Sequence, residues 1–182
     1  MIETILIAML VAKIKGYKLK PLFMSWEIYP VLVFIFIYLF LTMEAFFGNY
    51  YLIGYTGILE SAYICSFFIL IFKYKQYVSA IIGSTAISFG TLLNKIAILA
   101  NNGKMPVFPT LSYLTGYLKP DTFAKVNDIH ILGSEASKLK FLTDIIDIGY
   151  SILSVGDVFI RIFTFIIIFN TIKSINKIKI KV

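Results

Sequence analysis

The chain has a single arginine among its seventeen basic residues, and it stands where a charge is costly. Arg161 lies inside the apolar run from Ser151 to Asn170, with Asp157 one helical turn before it. A charge near the centre of a bilayer costs about 2.5–3.5 kcal/mol on insertion scales, so such a residue usually turns toward a partner. Ser154, Asp157, Arg161 and Thr164 recur at helical spacing and share one face. A carboxylate and a guanidinium so placed can fix helix register, hold a polar ligand or pass protons. Candidate partners on other apolar segments are Glu60, Asn94 and Lys95. At about 1.5 Å per residue, Glu60 and Arg161 lie about 13 and 15 Å below the outer ends of their helices. Asp157, Asn94 and Lys95 lie about 7–9 Å deep on the same basis. Two layers follow: Glu60 with Arg161, and Asp157 with Asn94 or Lys95. An Asp157–Arg161 pair at i, i+4 is the alternative.

Outside the apolar runs the chemistry is thinner. Asn101, Asn102 and Gly103 follow a predicted helix and read either as its C-terminal cap or as a polar binding loop. His130 is the only histidine, with Asp128 and Glu135 nearby, and one histidine cannot supply a multi-histidine metal site. No metal and no cofactor are expected. No HExxH, CxxC, GxSxG or phosphate-cradling glycine loop occurs. An outer-face enzyme would have to use His130 with Asp144, because only His130 offers a near-neutral base. Cys65 reads as a packing residue.

The elements that must position these groups are membrane segments. Apolar residues make up 59% of the chain and aromatics 16%, too much for a soluble domain to cover. Five segments are expected, at about 2–12, 27–47, 51–72, 77–100 and 151–171, as one all-α integral membrane bundle spanning 1–182. The first is short for a hydrocarbon layer of roughly 30 Å. It lacks a basic leading region, which argues against a cleaved signal. Ser79, Gly83, Ala86, Gly90, Asn94 and Ala97 form a small-residue stripe on the fourth segment, and Gly54, Gly57, Glu60 and Ser61 a polar face on the third. Lysines at 13, 15, 18 and 20, at 73 and 75, and at 173, 177, 179 and 181 fall on one side of such a bundle. By the positive-inside rule the N-terminus is then outside and the C-terminus cytoplasmic. The net charge of +7 reads as topology and lipid contact, not as a nucleic-acid surface. The outer loop, 101–150, should start extended at Pro106 and Pro109 and carry an amphipathic interfacial helix over Lys138 to Gly149.

The stretch Asn101-Asn102-Gly103-Lys104-Met105-Pro106 resembles an Asn-Gly-Gly-Arg-Met-Pro motif of a family of small bacterial inner-membrane proteins known only as a domain of unknown function. Ser154-Val155-Gly156-Asp157 is similar to the family's Ser-x-Gly-Asp element, and Leu142-Thr143-Asp144 to its Leu-x-Asp element. Asn102 and Lys104 depart from the pattern. The departure at Lys104 removes any bidentate arginine there. The resemblance implies a bacterial cytoplasmic membrane and brings no activity with it.

Three functions are compatible with these features. The first is a non-catalytic accessory or assembly subunit that holds a partner protein or lipid, alone or as a homo-oligomer. The second is a small solute or proton-coupled carrier or channel using Glu60, Asp157 and Arg161. The third is the outer-face enzyme.

Overall fold

The computed structural model describes residues 1–49, 51, 56–126 and 128–180. The fold is mostly helical, and three helices are long and apolar enough to cross a membrane: Trp26–Phe46, Tyr77–Ala100 and Val155–Lys177. Helical surfaces carry large apolar side chains in the open, among them Phe36 at 69% and Val78 at 72% exposure. Water penalises such surface and lipid does not, so length, composition and exposure agree on the character of a membrane protein. The chain divides into two compact units: Met1–Ile37 with Ile58–Ile87 and Ile160–Val182, and Tyr38–Gly57 with Ser88–Phe159.

The first unit is helical. Helix α1 (Ile2–Ile14) is 13 residues long, about 20 Å, and shorter than a hydrocarbon layer. The short α2 (Lys20–Phe23) leads into α3 (Tyr29–Phe46), which is preceded by one 3-10 turn and belongs to this unit as far as Ile37. The third apolar segment is divided into α4 (Thr56–Ser66) and α5 (Phe68–Lys73). Ser66 Oγ donates to the Tyr63 carbonyl at 2.6 Å and Phe67 N bonds three residues back to Ile64. Such back-bonding tightens a turn and bends a helix. Gly54 lies outside the described residues. Gly57 has open space where a Cβ would stand, so close packing does not explain it among the described residues. Helix α6 (Tyr77–Ala100) begins here, with Gly83 against Phe163 of α9 (Val155–Ile180) and Ser79 bonded to Asn170 at 3.0 Å. Gln76 donates to Thr171 at 2.7 Å in the same interior. Cys65 is exposed, which removes it from the protein core.

The second unit holds the long connection between α6 and α9. It is not an all-α loop. Strand β1 (Met105–Val107) pairs in parallel with β2 (His130–Leu132), and β3 (Ile146–Asp147) forms an antiparallel hairpin with β4 (Ile152–Leu153). Two single-turn helices, α7 (Leu111–Leu114) and α8 (Thr122–Lys125), lie between β1 and β2. The amphipathic helix expected over Lys138 to Gly149 does not form. Leu139 takes a left-handed conformation, one 3-10 turn follows, and Thr143 is extended. Gly149, at φ +88°, then makes the hairpin turn. Apolar residues at helical spacing were outweighed by β-branched residues and a turn glycine.

Candidate functional site

All of the outer-loop groups fall within the second unit, and most of them build it. Ser154 and Asp157 cap α9 reciprocally: Asp157 N donates to Ser154 Oγ at 3.0 Å and Ser154 N to Asp157 Oδ2 at 2.9 Å. This is a capping box with aspartate in the third position. Asn94 closes the network from α6, donating to Asp157 Oδ1 at 2.9 Å and accepting from Ser154 Oγ at 2.7 Å. Gly156 is required by the same contact, because a Cβ there would stand 2.5 Å from the Gly90 carbonyl oxygen and closer still to Asn94 Oδ1. Of the two partners expected for Asp157, the structure takes Asn94. Lys95 is exposed.

At the other end of the loop, α6 ends in a Schellman-type cap. Gly103 N bonds to the Ile98 carbonyl at 2.9 Å, with Asn102 left-handed at φ +57°. Asn101 does more than cap. Its amide donates to the Ala97 and Lys138 carbonyls, each at 2.9 Å, and its Oδ1 accepts from Lys138 N at 2.8 Å. It therefore latches two segments 37 positions apart. Lys104 Nζ reaches the Asp128 carbonyl at 3.1 Å. Met105 is buried with Ala97 and Leu142.

The Met-Pro strand then assembles the chemically active groups. On one side, Met105 N donates to Ile129 O and β2 pairs alongside, with Met105 opposite His130. On the other, Asp144 N donates to Pro106 O and Phe108 N to Asp144 O. Proline fits here because its nitrogen occupies a position in the ladder where no donor is used. Strand β1 thus sets His130 and Asp144 on its two flanks.

His130 Nδ1 lies 2.6 Å from Asp128 Oδ2, and the His130 amide donates to Asp128 Oδ1 at 2.8 Å. Its Nε2 points toward Asp144 Oδ2 at 3.6 Å, beyond hydrogen-bonding reach. Asp144 is 5% exposed, and its carboxylate accepts no hydrogen bond among the described residues. Burial pushes its pKa up to about 7, against the opposing pull of His130 and with the charges of Asp157 and Asp128 adding to the rise. Burial disfavours the His130 imidazolium, but the Asp128 hydrogen bond and the charges of Asp128, Asp144 and Asp157 outweigh it and raise its pKa. The three groups line a cavity of about 190 Å³ with Val107, Leu118, Phe123 and Ile152 among its apolar walls. Thr122 and Ser151 also line it. Such a site can take up a cation or share a proton. Among the described residues no group of His, Cys, Asp and Glu is arranged to hold a metal.

Arg161 belongs to the first unit, where its ion-pair partner is Glu3 of α1. Glu60 lies in that unit too. Glu3 escaped the sequence argument because the first segment was too short to be assigned a partner role. Asp128 was visible as a neighbour of the single histidine and Asp144 only as its partner in the enzyme reading, and nothing in their spacing showed that a three-residue parallel pair would bring them together.

No curated protein and no solved structure matches the chain. The model of one family, described as a family of unknown function (DUF5317), matches residues 19–169, and the chain belongs to that family.

Proposed function

We propose that this chain is a non-catalytic component of the bacterial cytoplasmic membrane, an accessory or assembly subunit whose outer cap holds a partner protein or a lipid. In this reading five segments enter the bilayer, with the N-terminus outside and the lysines around 13–20, 73–75 and 173–181 on the cytoplasmic side. The cap, residues 101–154, then faces outward.

The observation that carries the reading is how the polar groups of the cap are engaged. Asn101, Ser154 and Asp157 are hydrogen-bonded into the framework, whereas Asp144 stands buried against a cavity with no side-chain hydrogen bond among the described residues. Holding suits this arrangement better than turnover, because a histidine base needs a nucleophile in reach and the described side-chain partners of His130 are both acids. A carrier path through Asp157 and Arg161 fares no better. Asn94 and Ser154 engage the first, and Glu3 pairs with the second.

Native mass spectrometry of the tagged chain, released gently from its own host membrane, tests the proposal. A stoichiometric second protein or a defined lipid is expected. A bare chain carrying neither would overturn it.

A further inference from the structure

We propose that the cavity beside His130 and Asp144 binds a primary ammonium group carried on a small apolar body. The inference rests on the reading of the cap as a holding site and names the chemistry of what is held.

Asp144 is the group with most to gain from a ligand. Its side chain is 7% exposed, lines the cavity and meets no donor closer than His130 Nε2 at 3.6 Å. A buried carboxylate without donors is costly, and it gains most from a cation that also donates hydrogen bonds. Among the described residues, none nearby fills that role. The charge of His130 is already matched by Asp128 at 2.6 Å, and Lys104 is turned to the Asp128 carbonyl. Two acids, Asp128 and Asp144, thus share the one histidine, and Asp144 is the less compensated of them, with His130 Nε2 at 3.6 Å against Nδ1 at 2.6 Å for Asp128. An anion would meet the fields of Asp128, Asp144 and Asp157 together, all three of which act on this corner.

The shape of the cavity narrows the cation further. A primary ammonium has three donors that the Asp144 carboxylate can accept, and Ser151 and Thr122 line the same space, with Thr122 Oγ1 already accepting from Lys119 N at 2.9 Å. A quaternary ammonium has no N–H to donate to the Asp144 carboxylate. The volume of about 190 Å³ is far above the roughly 10–15 Å³ that one water needs. The apolar walls suit a short alkyl body rather than bare solvent. Burial raises the pKa of Asp144 to about 7, and a cation bound beside it would favour the charged form that burial disfavours.

Two sources carry this group: a free alkylamine, and the aminoethyl headgroup of a membrane lipid. The experiment separates them. The full chain is placed in phosphatidylcholine nanodiscs and titrated calorimetrically with n-butylamine at pH 8, with n-butanol as the neutral analogue. Saturable binding of the amine is expected, with the alcohol at least about tenfold weaker, as a charge-assisted hydrogen bond implies. Asp144→Asn and Ser151→Phe should each weaken the amine by about 10–100-fold. The second variant fills the cavity without touching a charge, so the test survives if the first does not fold. Affinity should rise from pH 6 to pH 8, because Asp144, with its pKa near 7, loses its proton across that window and leaves the site more negative.

Repeating the titration in phosphatidylethanolamine discs assigns the source. A drop in apparent affinity marks the lipid headgroup as occupant, and an unchanged affinity marks the free amine; either result upholds an ammonium site. Absence of saturable binding, equal binding of n-butanol, or full affinity in a folded Asp144→Asn chain would overturn the proposal. If the amine fails to bind while native mass spectrometry still finds a partner, only this inference falls and the membrane-subunit reading stands.

Discussion

Asp144 and Asp147 stand three positions apart on one short stretch of chain, and the protein treats them in opposite ways. Asp147 accepts from Thr110 N, Ser112 N, Ser112 Oγ and Gly149 N at 2.6–2.8 Å. Burial works against its charge, but these donors outweigh it and hold its pKa below the usual carboxylate range. Asp144 is buried with no hydrogen bond among the described residues and is pushed the other way, to about 7. The same contrast separates the two polar clusters of this unit. Around Asn94, Ser154 and Asp157 every carboxylate oxygen of Asp157 is met by a donor. Around His130 and Asp144 one acid is left open to a cavity. Saturated clusters set geometry. An unsaturated one costs stability, and a binding site is a place where that cost is tolerated.

The contrast can be broken most forcefully at Gly156. Gly156→Ala drives a methyl into the Gly90 carbonyl and the Asn94 amide, and should destabilise the chain by about 3 kcal/mol or prevent folding. Thermal unfolding in detergent measures it. The next effect should have the opposite sign. The folded pKa of Asp144 lies above its unfolded value, so the folded state binds the extra proton and stability falls as pH rises through that interval. Between pH 5 and pH 8 the loss is on the order of 2 kcal/mol. His130, whose pKa is also raised, adds stability at low pH that is lost as pH climbs through its folded value. Asp144→Asn should therefore unfold near the parent temperature at pH 5 and above it at pH 8. A lower melting temperature at pH 8 would make Asp144 a framework residue like Asp147. Third in size, Asn94→Ala leaves Ser154 and Asp157 each short of a partner and should cost about 1–2 kcal/mol. Smallest of all, Lys95→Gln on the exposed face of α6 should stay within about 0.5 kcal/mol.

Much of the helical framework was legible in the chain because it is written in long runs. The fourth apolar segment and α6 share the bounds 77–100. Its small-residue stripe met the contacts such a stripe implies, at Ser79, Gly83, Gly90, Asn94 and Ala97. The last helix starts at Val155, not Ser151, because Ile152 and Leu153 are taken by β4. It runs on past Thr171, since the Lys and Asn residues there do not stop a helix. The cap was opaque for a physical reason. Strands of two or three residues carry too little periodicity to read, and the parallel partner of Met105 is His130, 25 positions away and beyond any local rule. The motif residues Asn101, Met105, Pro106 and Asp157 stood out in the sequence, and they proved to be those that position others. Of the two residues they position, His130 looked ordinary, and Asp144 stood out only as the end of the Leu-x-Asp element and as the partner of His130 in the enzyme reading.

The most direct test of the division between framework and site is native mass spectrometry of the parent chain beside Asp144→Asn, each released from the host membrane under the same conditions. The variant should be folded and monodisperse and should have lost the protein or lipid that the parent carries. A folded variant that keeps the parent's bound species would contradict it, and would make Asp144 one more part of the scaffold.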